Sequence, residues 1–226
     1  MTFPALSAAD GFSHVFTLRH PGIDVSVDRD EALQRLTSWH HEILHDELGI
    51  LPAHLVTAEQ IHGNRVAVVN GPRSGVEPAT DGLICGRPGI ALGIYVADCC
   101  AVYLIDPVSK AFGVVHSGKK GTEQNITGAA ISLLAEEFAA CPADLIVQLS
   151  PCIRPPAYEV DFAATICEQA RTAGVKNGNI HDGGICTSSD LARFYSYRAE
   201  KGKTGRMVAL IARKEGDDPE TFHIAP

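Results

Sequence analysis

Two histidines and one cysteine, far apart in the chain, carry the ingredients of a metal site. His62 lies in Gln60-Ile61-His62-Gly63-Asn64, Cys99 in Val96-Ala97-Asp98-Cys99-Cys100, and His116 in Val115-His116-Ser117-Gly118-Lys119-Lys120-Gly121. Each segment puts a possible ligand at the end of a predicted strand, beside a turn, where a rigid scaffold holds a site open. Two imidazoles and a thiolate make a sound zinc set, and three protein ligands rather than four leave a position free for water or substrate. A metal there would ionise a bound water near neutral pH and polarise a substrate oxygen. Gln60 and Asp98 are the candidates for outer partners that orient the ligands. Spacing alone leaves a plainer reading open. The chain has no C-x-x-C or H-E-x-x-H, a cysteine beside an apolar strand is often small core filling, and a histidine at a turn is often structural.

Two further groups could bind substrate. Ser117 to Gly121 leads from a strand into a helix, so free amides, two glycines and Lys119 with Lys120 form a possible phosphate cradle. Lysines in a loop are otherwise solvated. Near the C-terminus, Phe194-Tyr195-Ser196-Tyr197-Arg198 and Thr204-Gly205-Arg206 put aromatic rings beside arginines, a combination that stacks a flat ligand and grips an anion. A packed aromatic corner with surface arginines is the alternative. Ser150-Pro151-Cys152-Ile153 and Tyr158-Glu159-Val160 could reach the same place.

These segments need a scaffold of strands and helices. Residues 1–28 read as irregular. Residues 30–48 form an amphipathic helix with Leu33, Leu36, Trp39, Ile43, Leu44 and Leu48 on its stripe and Gly49 as its stop. Strands are expected at 55–60, 65–69, 82–85, 90–96, 101–105 and 112–116, with Asn70-Gly71 and Asp106-Pro107 among the turns. A helix over 122–138 capped by Thr122, a strand at 145–149, a helix over 161–173, a short helix near 190–195 and a strand at 207–212 follow. The tail after Arg213 is polar and reads as loosely held. The β-α-β run across 112–149 makes part of a sheet parallel. With 226 residues, 45% hydrophobic and 20% charged, and no repeat or linker, one α+β domain over 1–226 with mixed sheets flanked by helices is the simplest fold.

The formal charge of -8 argues against nucleic acid or an anionic membrane as partner. No early segment joins a basic start to an apolar run, and no apolar run is long enough to span a bilayer, so the cytoplasm is the expected location. Seven scattered cysteines do not form a disulfide framework. Composition gives no oligomeric state.

Taken in order, the motif segments resemble the YfiH-like family, also known as laccase-domain or polyphenol oxidase proteins. That family's pattern runs Q-[VI]-H-G, T-A-D-C, H-A-G-W-R-G, G-P-C/A-I…Y-E-V, C-T…F-[FY]-S-[YH]-R and a final G-R. The matching stretches here are 60–63, 97–99, 116–121, 151–160, 186–198 and 205–206. The resemblance implies an α+β fold related to the cytotoxic necrotizing factor toxins, and a zinc held by His62, Cys99 and His116. It implies phosphorolysis of adenosine, inosine or methylthioadenosine, with adenosine deamination as a second activity, so the partners are a nucleoside and phosphate. Copper fits a Cys/His₂ set as well as zinc does. On this reading Ser117, Lys119, Lys120 and Arg19 bind phosphate, and Gln60, Tyr197 and Arg198 help line the substrate pocket. The chain departs from the pattern in two places. Lys119-Lys120 stands where the family has Trp-Arg, which removes an aromatic face and a planar guanidinium. The N-terminal segment 1–50 is divergent, keeping only Thr17-Leu18-Arg19 of an S-T-R-x-G-G motif. Two other readings therefore stand beside the first. One is a Cys/His amide hydrolase or peptidoglycan-editing type of hydrolase with Cys99 as nucleophile and His116 as base, and the other is a non-catalytic metal-binding member.

Overall fold

The strand Cys100–Ile105 is apolar on both faces, and that fact sets the architecture. Ala101, Tyr103 and Ile105 join one core cluster, while Cys100, Val102 and Leu104 join another. Successive side chains of a strand point to opposite faces, so this strand lies in a sheet covered on both sides.

The protein is described by a computed structural model covering residues 1–71 and 74–214. In chain order its elements are α1 (Pro4–Ser7), β1 (Phe12–Phe16), α2 (Arg29–Leu48), β2 (Leu55–Ala58), β3 (Val66–Val68), β4 (Gly75–Glu77), β5 (Gly82–Cys85), β6 (Ala91–Val96), β7 (Cys100–Ile105) and β8 (Phe112–Ser117). Then come α3 (Lys119–Glu123), α4 (Ile126–Phe138), β9 (Ile146–Leu149), α5 (Phe162–Thr172), β10 (Ile180–Asp182) and β11 (Met207–Arg213). One sheet has the order β1-β11-β6-β2-β4 and the other β10-β9-β7-β8-β5-β3. Both are mixed: β2 is parallel to β6 and β4, β3 to β5, and β10 to β9, and the other pairs are antiparallel.

The largest cluster holds Phe3, Phe12, Phe16, Leu92, Tyr103, Phe112 and Met207 and draws on both sheets. On the outer face of the six-stranded sheet, Ile131 and Leu134 of α4 and Ile166 of α5 meet Val102, Val115 and Val147. On the outer face of the five-stranded sheet, Leu44 and Leu48 of α2 meet Val208 and Leu210. The layers therefore run helix, sheet, sheet, helices, an α+β fold with two mixed sheets.

Helix α2 begins at Asp28, whose carboxylate accepts the Asp30 and Glu31 amides at 3.0 Å each, and ends at Gly49 with φ 70°. It buries Ala32, Leu36, His40, Leu44 and Leu48, so His40 takes a core position that the expected stripe assigned to Trp39 and Ile43. The expected helix over 122–138 is two helices. Asn125 adopts φ 57° and caps the second by accepting the Gly128 amide. The expected short helix near 190–195 is a turn, with the Arg193 and Phe194 amides both bonded to the Asp190 carbonyl. A 3-10 turn sits instead at Thr187–Ser189. Residues 1–28 are not irregular throughout, because they contain α1 and β1. Strands β4 and β10 were not expected. The polar tail falls on 215–226, outside the described residues. The β-α-β run has β8 and β9 pointing the same way, but both flank β7 rather than pairing with each other. Among the described residues no helix is long and apolar enough to cross a membrane.

Candidate metal centre

Two of the three candidate ligands stand where the chain leaves one sheet for the other. Strand β2 belongs to the five-stranded sheet and β3 to the six-stranded one, and His62 lies on the loop between them. Likewise β6 and β7 belong to different sheets, and Cys99 closes the three-residue corner that joins them. His116 is on β8, on the same face as Phe112 and Val114, which face the space between the sheets. The ligand atoms of His62, Cys99 and His116 all lie within 4.8 Å of one another. The two imidazoles meet edge to face, with centroids 4.9 Å apart. Gly118 is required here: a Cβ at that position would sit 2.5 Å from the Cys99 sulfur.

Sharp corners hold these side chains in place. Gln60, His62 and Asp98 adopt left-handed backbone angles, with φ of 63°, 64° and 83°. Such residues persist where neighbours over-determine them, and each here is tied. The Gln60 amide accepts the Tyr95 N–H at 2.9 Å and donates to the Tyr95 carbonyl at 2.6 Å. The Asp98 carboxylate accepts the Thr187 hydroxyl and the Arg198 amide, both at 2.7 Å. These two residues thus brace the corners through backbone and hydroxyl contacts.

The residue that orients the ligands is Asp81, immediately before β5. It is fully buried. One carboxylate oxygen takes the His116 Nδ1 at 2.8 Å and the His62 amide at 2.9 Å, and the other takes the Gly63 amide at 2.7 Å. With Nδ1 engaged, Nε2 is the imidazole nitrogen left for a metal, the arrangement common at histidine-ligated sites. Burial pushes the Asp81 carboxyl up, but the bonds from His116, Gly63 and His62 outweigh it and hold the group below its ordinary value. Burial also pushes the Cys99 thiol up. The charge of His116, with hydrogen bonds from His116 and His62, overcomes this and brings it from 9.0 to about 6. For His116, burial disfavours the charged form, yet Cys99 and Asp81 raise it to about 9.

The donor set fits a metal. Neighbouring ligands of a tetrahedral zinc with nitrogen and sulfur bonds are roughly 3.3–3.8 Å apart, and the donors here lie within 4.8 Å of one another. The thiol is already biased toward the thiolate that coordinates, and the Asp81–His116 bond fixes one tautomer. Among the described residues, this is the one such group of histidine, cysteine and acidic side chains.

A cavity of about 1040 Å³ opens over the three ligands. Gln60, Tyr95, Tyr158, Phe162 and Tyr197 contribute to its walls, and Arg29, Lys119, Arg198, Lys201, Lys203 and Arg206 make it strongly cationic.

Comparison with known proteins bears on what such a site is for. The family described as multi-copper polyphenol oxidoreductase laccase matches residues 22–166 and 160–214. The chain belongs to this family, the YfiH-like laccase-domain proteins. It is similar to "Purine nucleoside phosphorylase YlmD" of Geobacillus stearothermophilus, with 28% identity over 241 residues, covering 88% of this chain and 85% of the relative. A protein of Pseudomonas aeruginosa, also named a purine nucleoside phosphorylase, is 32% identical over 182 residues, covering 68% of this chain and 72% of its own length. The crystal structure of YlmD from Geobacillus stearothermophilus superposes with a TM-score of 0.81 at 26% identity, covering 94% of each chain.

In this laccase-domain chain the expected binding residues separate into two groups. Lys119, Tyr197, Arg198 and Gln60 line the cavity, although Gln60 spends its amide on Tyr95. Arg198 stacks on Tyr158 at 4.9 Å and pairs with Glu159 at 2.6 Å. Ser117, Lys120 and Arg19 are not among the lining residues. Ser117 is buried and bonded to the Thr122 hydroxyl at 2.8 Å. Arg19 is held by Glu200 at 2.6 Å and by the Phe194 carbonyl, over the Tyr195 ring. The sequence reading missed Asp81, Arg29, Lys201 and Lys203. The signal for Asp81 was a lone acid abutting an apolar strand, Asp81 before Gly82–Cys85.

Proposed function

We propose that this chain is a metal-dependent purine nucleoside phosphorylase, with His62, Cys99 and His116 as the zinc ligands. The observation that carries the reading is the convergence of those three donors, within 4.8 Å of one another, at a cavity of about 1040 Å³ with cationic and aromatic walls. The names of the relatives support it. A cavity of that size accepts a nucleoside together with phosphate. Bound zinc supplies a Lewis acid that polarises a substrate oxygen. The chain's own residues do the rest. Asp81 keeps the His116 ring in one tautomer and the His62 loop in place. The exposed face of Tyr197 stacks the base. Lys119 and Arg198 hold the phosphate oxyanions against the ribose carbon, and that positioning lowers the barrier. Adenosine deamination is a second activity of the same centre, and the net acidic chain acts in the cytoplasm on small molecules rather than on nucleic acid.

The test is turnover of adenosine and inosine, with and without phosphate, alongside metal analysis. Free base is expected only when phosphate is present, with about one zinc per chain and loss of turnover on chelation. No base release and no ammonia would refute the proposal. A second reading has its own support: Asp81, His116 and Cys99 form a hydrogen-bonded acid, imidazole and low-pKa thiol series, the layout of a Cys/His hydrolase. Zinc that is present in the purified protein and lost in Cys99→Ala would reject the nucleophile role.

A further inference from the structure

Arg206 enters the metal cavity just before β11 and is only 9% exposed. One guanidinium nitrogen, Nη1, donates to the Thr204 and Gly205 carbonyls at 2.9 Å each. Those bonds anchor the group to its own loop, and Gly205 lets the loop pass the Tyr195 ring, where a Cβ would come within 2.7 Å. No acid neutralises it: among the described residues no carboxylate forms an ion pair with Arg206. Cys99, Tyr197 and Asp98, in that order, favour its charge without a hydrogen bond to it, and Asp98 has both oxygens taken by Thr187 and Arg198. Arg29 is a like charge nearby, and the Tyr197 ring lies 5.8 Å away.

Buried cations in proteins are paired, and an unpaired one is expensive to keep. Arg19 shows the satisfied case in the same region, with its carboxylate at 2.6 Å. Arg206 is fixed in position yet lacks that partner: its side-chain hydrogen bonds come from Nη1 alone, and it lines the same cavity as Cys99 and His116.

We propose that Arg206 is the principal oxyanion ligand of this cavity and takes a phosphate group through the guanidinium N–H donors not used by its loop. The guanidinium fork matches a tetrahedral oxyanion, which supplies the planar donor that the lysine pair at 119–120 cannot. The inference rests on the phosphorylase reading for its substrate, but not for its test. Burial already draws the Arg206 guanidinium below its ordinary value, and a bound anion relieves that.

The experiment titrates inorganic phosphate, without nucleoside, into the intact protein and into Arg206→Gln, Arg206→Lys and Lys176→Gln. Calorimetry reads affinity, and circular dichroism checks each fold. Affinity is expected to fall about tenfold to a hundredfold in Arg206→Gln, less in Arg206→Lys, and not at all in Lys176→Gln. A parallel titration with adenosine monophosphate separates free phosphate from phosphate carried on a nucleoside: the source is whichever titration loses affinity with Arg206→Gln. If Arg206→Gln does not fold, Arg206→Lys decides. Unchanged affinity in the Arg206 variants, or no binding of either probe to the unaltered protein, overturns the proposal. Phosphate binding that needs Arg206 in a protein with no phosphorolysis would reject the phosphorylase reading and leave this one standing.

Discussion

His116 and His40 are equally hidden, at 3% and 2% exposed, yet they sit in opposite electrostatic worlds. His116, at the open end between the sheets, has the Asp81 carboxylate at 2.8 Å and the Cys99 thiol beside it. His40 lies in the layer where α2 covers the five-stranded sheet, between Trp39 and Tyr95. Neither of its ring nitrogens has a hydrogen-bond partner of ordinary geometry. Burial, with a smaller push from the charge of His41, lowers His40 from 6.5 to about 4, whereas His116 is raised to about 9. Burial acts the same way on both rings, and the partners decide the outcome. Concealment makes His40 a neutral packing group, while an acid and a thiol make His116 a site.

The widest gap between the two regions should come from apolar replacement. His116→Leu strands the buried Asp81 carboxylate, so it is expected to destabilise the protein by about 3–5 kcal/mol in denaturant unfolding and to abolish metal uptake. His40→Leu removes a ring whose one polar contact is a weak one to the Arg206 backbone and should leave stability within about 1 kcal/mol of the parent, or above it. Equal losses in the two variants would break the comparison.

Acid exposes the same contrast. The folded value for His40 lies below that of the unfolded chain, so its contribution is complete above pH 6.5 and drains away as the pH falls toward about 4. Over that window the protein should lose about 3 kcal/mol more stability than His40→Leu does. Parallel pH profiles for the two proteins would contradict this.

A subtler cut is Asp81→Asn, which keeps the shape but removes the charge behind His116. Metal affinity is expected to weaken tenfold to a hundredfold, on the order of 1.4–2.7 kcal/mol, as read by competition with a chelator. The smallest effect concerns the metal-free thiol. With Cys99 near 6 and His116 near 9, the two form a thiolate–imidazolium pair between those values, and their opposite shifts largely cancel in the pH dependence of stability. Alkylation of Cys99 should persist down to about pH 6 and be blocked by zinc. Reactivity that rises only near pH 9.0 would contradict the assignment.

Much of this was readable from residue types. Strand β5 falls on the expected range, and α2, β6, β7, β8 and α5 fall within a residue or so of theirs, because the helices keep a 3.6-residue apolar period and these strands are short continuous apolar runs buried on both faces. The three ligand segments were legible as motifs at strand ends. Strand β1 was not, because Ser13 and His14 interrupt Phe12–Phe16. His14 is nonetheless buried, held neutral and accepting the Phe3 amide at 2.8 Å. The break at Asn125 was hidden because helical spacing continues across it. Asp81 was the hardest to assign, and Arg206 was legible only as one of several arginines beside aromatic rings. Their roles depend on which strands become neighbours, and no local pattern encodes that the β2–β3 and β6–β7 connections change sheets.

Those changes of sheet have a mechanical consequence. His62 and Cys99 ride on two of the connections that cross between the halves of the sandwich, and His116 is rooted in only one half. An ion gripped by all three acts as a rivet through the joint. Any shear of one half past the other would pull its donors apart, so the grip on the ion and the alignment of the two halves rise and fall together.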